Sequence, residues 1–208
     1  MQALGTCGSK VGQGGTTRCV DLNAIWEGAW AEHREVLLAT TALSESASAA
    51  GRQWIECLRG GGKVVFCGNG GSASDAMHLS AELTGRFVRE RRSLPSVVLG
   101  SNPSALTAIS NDYGYEAALA RELSSIGNQG DVLVALSTSG NSPNILAAAH
   151  EARSRGMVVQ AWTGEGGGKL AQACNLLLAV PSRTTARVQE MHILIGHVLC
   201  AAVDAEVL

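Results

Sequence analysis

The sequence predicts an α/β domain with a doubly wound, five-stranded parallel sheet preceded by N-terminal helices. After Gly60, five short apolar runs alternate with longer stretches of helical character. The runs are continuously apolar, which is typical of parallel strands that helices cover on both faces. The stretches between them are long enough for the right-handed crossovers that parallel strands require. The five predicted strands are residues 63–67, 96–100, 132–136, 157–162 and 176–180.

Helices are predicted on both sides of this region. Over residues 20–60, large apolar side chains such as Trp26 and Trp30 recur at the spacing of amphipathic helix faces, which fits one long helix or two packed helices. A last helix is predicted over residues 184–203. Residues 1–19 are rich in glycine and lack the apolar stretch of a signal peptide, so we expect a flexible leader. Residues 20–208 are expected to form a single domain.

Composition and charge argue against nucleic acid and membranes as partners. The 208 residues carry a formal net charge of -2 at pH 7, with 46% hydrophobic and 16% charged residues. This balance gives no electrostatic reason to expect nucleic acid or an anionic membrane surface. No apolar run approaches the roughly 20 residues that span a bilayer. The six cysteines include no CxxC pair, so we expect free thiols in a reducing cytoplasm.

Two polar loops are predicted at the carboxyl ends of the first and third strands, where ligands bind in doubly wound sheets. Residues 67–72 (CGNGGS) and residues 137–142 (STSGNS) each lead from a strand into a helix. A helix N-terminus presents free amide groups, and the hydroxyl groups of the second loop add donors, so this loop is typical of a phosphate site. A tight turn with a Ser or Asn cap explains the first loop equally well. Neither loop has the P-loop or dinucleotide-binding pattern.

Two helices carry residues suited to metal binding or proton transfer. His78 and Glu82 are four residues apart, so they share one helix face just after the first loop. A surface ion pair is the alternative for these two residues. The last helix carries Gln189, His192 and His197 in an apolar stretch, where buried polar groups need partners. Helical geometry does not choose between the two histidines, and a core histidine bonded to a backbone carbonyl is the alternative for each.

Four segments of the chain resemble the phosphoheptose isomerases, that is, the sedoheptulose 7-phosphate isomerases, which have the sugar isomerase (SIS) fold. The segments are CGNGGSASDAMHLSAELTGR at 67–86, SNDYG at 110–114, GDVLVALSTSGNSPNILAA at 130–148 and RVQEMHILIGH at 187–197. The resemblance extends over residues 22–207, with the segments in the expected order. It implies the SIS fold, sugar-phosphate isomerase activity and a homotetramer with active sites between subunits.

The resemblance also implies which residues form the site. A divalent metal, usually zinc, is expected on His78, Glu82, Gln189 and His197. The histidine eight residues after the glutamine matches the family, so His192 is expected to be structural. Arg86 is expected to reach a neighbouring active site. The full set of expected substrate contacts is Asn69, Gly70, Gly71, Ser72, Arg86, Asn111, Asp112, Ser137, Thr138, Ser139, Ser142 and Gln189, with the phosphate on the four hydroxyl residues of the second loop.

The implied reaction converts D-sedoheptulose 7-phosphate to D-glycero-D-manno-heptose 7-phosphate through an ene-diol. Moving a proton between adjacent carbons requires a base for the carbon-bound proton and an acid for the neighbouring oxygen. We expect Glu82 to be the base and His197 to be the acid and base on oxygen. One family member has an aspartate where Ala186 stands in this sequence, so an acid at this position is not assumed to assist.

Three other functions stay open at this stage. A bacterial DnaA-binding initiator-associating protein has the same fold and resembles the sequence closely, but it lacks a glutamate at the position of Glu82. A regulatory module that binds sugar phosphates would keep the STSGNS loop without needing Glu82 or His197. An isomerase for a hexose or pentose phosphate would differ in the length of the pocket, which the sequence does not reveal. The presence of both His78 and Glu82 favours the enzyme.

Overall fold

Five strands form the predicted parallel sheet. The structure, a computed structural model, describes residues 20–207, and the predicted leader at residues 1–19 lies outside the described residues. The strands are β1 Val64–Cys67, β2 Ser96–Val98, β3 Val132–Ser137, β4 Val158–Thr163 and β5 Leu176–Ala179. Every neighbouring pair is parallel, and the order across the sheet is β2-β1-β3-β4-β5. The prediction of a doubly wound, five-stranded parallel sheet with N-terminal helices is therefore confirmed.

Helices cover both faces of this sheet. In the described residues they are α1 Leu22–Thr40, α2 Ser44–Arg59, α3 Gly71–Thr84, α4 Pro103–Tyr113, α5 Tyr115–Ile126, α6 Pro143–Ser154 and α7 Thr185–Glu206. Helices α2, α3 and α7 share one apolar core with the sheet, and helices α5 and α6 share the other. A single domain over residues 20–208 stays our proposal for the organisation of the chain.

Alternate residues of the strands supply the two cores. Val64 and Phe66 of β1 pack with α2, α3 and α7, whereas Val65 and Cys67 pack with α5 and α6. Successive side chains of a strand point to opposite faces, so a strand covered on both sides must be apolar at every position. This requirement explains the continuous apolar runs in the sequence.

A tryptophan pair attaches α2, the second of the N-terminal helices, to the sheet. The fully buried Trp54 of α2 stacks on Trp162 of β4, with ring centroids 6.2 Å apart and an interplanar angle of 5°. The indole Nε1 of Trp54 donates to Gln160 Oε1 at 3.0 Å, so its polar group is satisfied inside the core. Helix α2 is thus part of the core that α2, α3 and α7 share with the sheet.

The ends of several elements differ from the sequence prediction. The second strand ends at Val98, because the chain turns at Gly100, whose φ is +80°, and the Ser101 amide bonds the Val98 carbonyl oxygen. The helical region at residues 20–60 is two helices joined by a 3-10 turn at Thr41–Leu43. The third strand and the last helix each extend beyond the predicted ends, to Ser137 and Glu206.

Helix α7 is a core helix. By length and composition alone it could cross a membrane, but half of its most apolar stretch is buried inside the protein. It packs along α2 and α3, and His192 lies within its buried face. The absence of membrane association stays a prediction from the sequence.

The strand order places a crevice between β1 and β3. These two strands are neighbours in the sheet, but β1 connects onward to β2 on one side and β3 connects onward to β4 on the other. The two following loops therefore diverge, which leaves a crevice where ligands bind in sheets of this kind. The two polar loops predicted from the sequence are the ones that meet there.

Candidate active site

The loop after β1 brings Asn69 and the start of α3 to the crevice. Gly70 has a φ of +54°, a conformation that residues with a side chain rarely adopt. A Cβ at Gly68 would lie 2.6 Å from the Ser72 carbonyl carbon, which is too close for any other residue. Gly68 and Gly70 are therefore required by the turn, and Asn69 between them carries a polar side chain.

The loop after β3 is compact and rich in hydroxyl groups. Ser137 is almost fully buried, and its Oγ lies 3.1 Å from Ser142 Oγ. Gly140 has a φ of +64°, and a Cβ there would overlap the Gly167 carbonyl oxygen. Helix α6 begins after Ser142, whose side chain makes no capping hydrogen bond to the described residues of that helix. Uncapped amides, a positive helix end and clustered hydroxyls are suited to a phosphate group.

Asn144 joins the two loops, and the sequence analysis missed it. Its side chain, 2% exposed, exchanges two hydrogen bonds with the side chain of Asn69, at 2.9 and 2.8 Å. Tyr115 at the start of α5 also donates to Asn69 Oδ1, at 2.8 Å. Asn144 shares a buried stripe of α6 with Ala148 and Ala152, at i+4 and i+8. A polar residue on an otherwise apolar stripe is the sequence signal that marks it.

His78, Glu82 and His197 form a cluster between α3 and α7, which we call the His–Glu–His cluster. His78 Nε2 lies 3.1 Å from Glu82 Oε1 and 3.4 Å from His197 Nε2. The ligand atoms of all three residues lie within 4.8 Å of one another. Gly196 allows this approach, because Leu79 of α3 packs directly against its backbone. Two helices that are distant in sequence thus present three potential metal ligands to one point.

The His–Glu–His cluster fits a divalent metal such as zinc. Zinc bonds of about 2.0–2.1 Å at a tetrahedral angle place neighbouring ligand atoms about 3.3 Å apart. The two separations from His78 Nε2, 3.1 and 3.4 Å, match this spacing. Two imidazole Nε2 atoms that face each other repel when both are unprotonated, and a cation between them removes the repulsion. Two histidines and one carboxylate are also a donor set of catalytic zinc sites.

Gln189, near the start of α7, packs against the first residues of α3 rather than beside the His–Glu–His cluster. Its Nε2 donates to Ser72 Oγ at 3.3 Å, and its amide packs against Gly71, where a Cβ would lie 2.7 Å away. Gln189 and His197 are eight residues apart on one helix, which is about 12 Å along its axis. The structure therefore places Gln189 with the residues of the first loop.

Asp75 is a further acidic residue near the cluster that the sequence analysis missed. It lies on α3 three residues before His78, and its Oδ2 is buried with no hydrogen-bond partner among the described residues. Burial raises the pKa of Asp75, and the neighbouring His78 opposes this shift only in part. Its spacing from His78 is the sequence signal, since residues three apart are neighbours on a helix.

His192 is a core residue, in agreement with the sequence expectation. It is fully buried, and its Nε2 lies 3.2 Å from the Thr163 carbonyl oxygen. Burial lowers the pKa of His192 to about 4, and the hydrogen bond to Thr163 opposes this only weakly. His192 is therefore neutral at pH 7 and lies on a different face of α7 from His197.

The other predicted substrate residues lie around the crevice or face solvent. Thr138 is half-buried, and its carbonyl oxygen accepts from the Gly164 amide just after β4. Ser139 is exposed, and its Oγ accepts from the Asn141 amide at 3.2 Å. Asn111 and Asp112 are exposed near the end of α4 and bond to each other at 3.0 Å. Arg86 follows α3, with a side chain 57% exposed. Within the described part of the chain, none of these residues is hydrogen-bonded to the His–Glu–His cluster.

The fold and this site define a protein of the SIS class. The family model described as "SIS domain" matches residues 30–164, which is well over half of the chain. The structure is also similar to that of phosphoheptose isomerase GmhA from Neisseria gonorrhoeae, with a TM-score of 0.84 and 41% sequence identity. That similarity covers 88% of this chain and 99% of the other. The SIS fold predicted from the resemblance is confirmed.

Curated relatives identify the family within this class. A phosphoheptose isomerase from Rhodospirillum rubrum is 56% identical over 147 residues, which are 71% of this chain and 78% of the relative. Phosphoheptose isomerase 1 from Campylobacter jejuni is 46% identical over 175 residues, which are 84% of this chain and 94% of the relative. The chain belongs to the phosphoheptose isomerase family, as the sequence resemblance predicts.

Proposed function

We propose that the protein is an aldose–ketose isomerase that converts D-sedoheptulose 7-phosphate to D-glycero-D-manno-heptose 7-phosphate. Membership of the phosphoheptose isomerase family supports this activity. The observation that carries the chemistry is the His–Glu–His cluster, because two of its members, His78 and Glu82, lie on α3, the helix that begins at the first loop of the crevice. We therefore assign the cluster and the two loops to one site, which would combine groups for proton transfer with loops suited to a sugar phosphate.

Glu82 and His197 are the proposed proton-transfer residues. Glu82 Oε1 contacts His78, so we assign the role of base to its second oxygen, Oε2, which removes the proton from the carbon next to the carbonyl group. His197 would move the proton on the neighbouring oxygen as the ene-diol forms and collapses. A bound divalent metal would supply a Lewis acid for the carbonyl oxygen. One carboxylate that acts as ligand and base would use a different oxygen for each role.

The two loops would hold the substrate in register with these groups. The phosphate is assigned to Ser137, Thr138, Ser139 and Ser142, supported by the uncapped N-terminus of α6 and by the short contact between two of the hydroxyls. Asn69, Gly70, Gly71, Ser72, Asn111 and Asp112 are assigned to the sugar. Anchoring the remote phosphate orients the reacting carbons, which lowers the entropic cost of the chemical step.

Zinc is the metal that we propose, with Gln189 as a fourth ligand in addition to His78, Glu82 and His197. The donor set and spacing of the three clustered residues support zinc. As a ligand, Gln189 would have to leave the Ser72 hydroxyl that it contacts in this structure. Replacing Gln189 with alanine tests this role: unchanged zinc affinity with a higher KM would make it a substrate residue alone.

A homotetramer with sites between subunits is also proposed. Helix α1 exposes apolar side chains that include Trp26 and Trp30, which are 65% and 58% exposed. An apolar groove of about 460 Å³ lies between α1, α2 and α7, and the exposed Val198 is part of its wall. Exposed apolar surface of this kind is typical of protein interfaces. Arg86 would then reach a neighbouring active site, and sedimentation of the purified protein tests the assembly.

The cellular location and the class of partner are also proposals. The four cysteines of the described residues, Cys57, Cys67, Cys174 and Cys200, are free thiols, which supports the proposed cytoplasmic location. The DnaA-binding alternative is not favoured, since the relatives at 46–56% identity are phosphoheptose isomerases. A net charge of -2 also favours a small-molecule substrate over nucleic acid.

Turnover of D-sedoheptulose 7-phosphate by purified protein tests the function directly. We expect formation of the aldose, its loss after treatment with a chelator, and its recovery with added Zn²⁺. Glu82→Gln should abolish turnover with the fold intact. The matched control is Glu151→Gln, which removes a glutamate of another i,i+4 pair, with Arg155 on α6. Near-normal activity of Glu82→Gln would exclude Glu82 as the base.

A further inference from the structure

A buried ion pair, Arg91 with Asp204, lies between the end of α3 and the end of α7. Arg91 Nε donates to Asp204 Oδ1 at 2.6 Å, and the two side chains are 0% and 2% exposed. Arg91 belongs to the segment after α3, and Asp204 lies near the end of α7. The pair therefore connects the two helices that carry the cluster.

Arg91 holds the end of α3, where Glu82 is located. Its Nη2 donates to the Glu82 carbonyl oxygen at 2.7 Å, and its Nη1 donates to the Leu83 carbonyl oxygen at 2.9 Å. The last carbonyl groups of a helix have no partner within the helix, and they carry a partial negative charge. A guanidinium group is suited to both, since it is always charged and presents several donors in a fixed plane. The turn that carries Glu82 is thus tied to Asp204 through Arg91.

Asp204 also fixes the segment between α3 and Arg91. Its Oδ2 accepts hydrogen bonds from the amides of Val88 and Arg89, at 2.8 and 2.9 Å. Next to Val88, the ring of Phe87 stacks on the ring of His197, with centroids 5.4 Å apart and an interplanar angle of 24°. The position of this segment therefore sets how Phe87 restrains the His197 ring.

Stability alone does not explain this arrangement. A buried ion pair loses hydration of both charges, and well-packed apolar residues often stabilise a fold as well or better. Arg91 and Asp204 instead make directional contacts to Glu82 and to the segment that carries Phe87. We propose that Arg91 and Asp204 are positioning residues, which hold Glu82 and Phe87 at a fixed distance and orientation relative to His197. The proposal rests on the proposed function of the cluster as a metal and proton-transfer site.

A second buried ion pair provides a matched control. Asp131 also accepts hydrogen bonds from two amides, those of Lys63 and Asn128, and pairs with the Lys63 ammonium group. It is 3% exposed, and it lies just before β3, at the opposite end of the sheet from the crevice. Asp204→Asn and Asp131→Asn therefore remove the same charge from the same kind of environment, and only one of these environments contacts the cluster.

The test is a titration of the full-length apo-protein with Zn²⁺ against a chelating indicator, with thermal unfolding measured in parallel. Both variants are expected to unfold at lower temperature than wild type. Only Asp204→Asn should lower the affinity for Zn²⁺, by at least about tenfold, as is usual when residues that orient metal ligands are lost. At saturating Zn²⁺ it should also lower kcat with little change in KM. Equal Zn²⁺ affinities in the two variants would overturn the proposal.

Phe87 provides a second test if Asp204→Asn does not fold. Phe87→Leu leaves the ion pair in place but removes the ring, whereas Phe87→Tyr retains it. We expect weaker Zn²⁺ binding for Phe87→Leu and wild-type binding for Phe87→Tyr. Identical binding by both would contradict the proposal that the Phe87 ring positions His197. Turnover by wild type is measured separately. A wild-type protein that binds Zn²⁺ without turnover would exclude the proposed function, while the Zn²⁺ affinities would still decide the positioning role.

Discussion

Replacing Gly196 with alanine should separate the helices that carry the His–Glu–His cluster. Gly196 is buried in α7 beside His197, and an alanine Cβ there would lie 2.5 Å from Leu79 Cδ1 and 3.0 Å from Leu79 Cγ. Carbon atoms in contact are normally about 3.5–4.0 Å apart, so the helices must move by about 1 Å. Leu79 is fully buried and adjacent to His78, so it cannot swing into solvent.

The change in the free energy of unfolding caused by Gly196→Ala is the sum of two opposing effects. Overpacking a core typically costs about 1–3 kcal/mol. Replacing glycine by alanine within a helix returns about 1 kcal/mol through higher helix propensity. The control is Gly51→Ala in α2, another buried helical glycine, where the nearest heavy atom to the new Cβ would be Leu199 Cγ at 3.7 Å. Both variants gain the same propensity, so their difference of about 1–3 kcal/mol isolates the overlap with Leu79.

The effect on metal binding is expected to be larger than the effect on stability. A metal site tolerates ligand displacements of about 0.2 Å, which is well below the shift that the new methyl group imposes. We expect the zinc affinity of Gly196→Ala, measured by chelator competition, to fall by at least about tenfold relative to Gly51→Ala. Adding Leu79→Ala to Gly196→Ala should recover part of this affinity. Equal zinc binding by Gly196→Ala and Gly51→Ala would refute the reasoning.

Two further predictions concern buried polar groups. Asn144→Ala removes both hydrogen bonds to Asn69, so the free energy of unfolding should fall by about 1–3 kcal/mol and KM for the sugar phosphate should rise. His192 has a pKa of about 4 in the folded protein, against about 6.5 when unfolded. Between pH 6.5 and 4 this histidine is therefore protonated in the unfolded chain but neutral in the folded protein, which favours unfolding. Wild type should thus lose about 3 kcal/mol of stability as the pH falls from 6.5 to 4, a loss that His192→Gln should not show.

Each of these predictions has its own control. Asn175 accepts a hydrogen bond from the Val159 amide, away from the crevice, so Asn175→Ala should destabilise the protein without raising KM. A higher KM in both asparagine variants would mean that general loosening, rather than Asn69, is responsible. For His192, denaturant unfolding of wild type and variant is compared at several pH values. Parallel curves would show that other groups dominate the acid transition.

The sequence predicts the architecture and both loops because these features are local. Continuous apolar runs are what strands covered on both faces require, so all five strands could be recognised without knowledge of their order. Gly70 and Gly140 mark turns that only glycine adopts easily, and the hydroxyl groups around Gly140 indicate an anion. Only the strand order, however, shows that these two loops share one crevice.

The His–Glu–His cluster illustrates the boundary between sequence and tertiary structure. The pairing of His78 with Glu82 follows from helical periodicity, because residues four apart share a helix face. The third member does not follow from spacing, which leaves both His192 and His197 of the same apolar helix open; in the sequence, only the family resemblance selects His197. The packing of Gly196 against Leu79 decides between them: it brings His197 to His78 and leaves His192 in the core.

Contacts that are distant in sequence account for what the sequence could not reveal. Asn144 differs in the sequence from the apolar stripe of α6 that it shares, but only the fold shows that its partner is Asn69, 75 residues earlier. Arg91 and Asp204 are 113 residues apart, and nothing in their local patterns marks them as partners. The sequence by itself determines which segments become strands, helices and glycine turns, since backbone sterics and periodic burial act over a few residues. Tertiary structure alone decides which polar side chains meet, because a buried polar group is satisfied by whichever partner the packing brings to it.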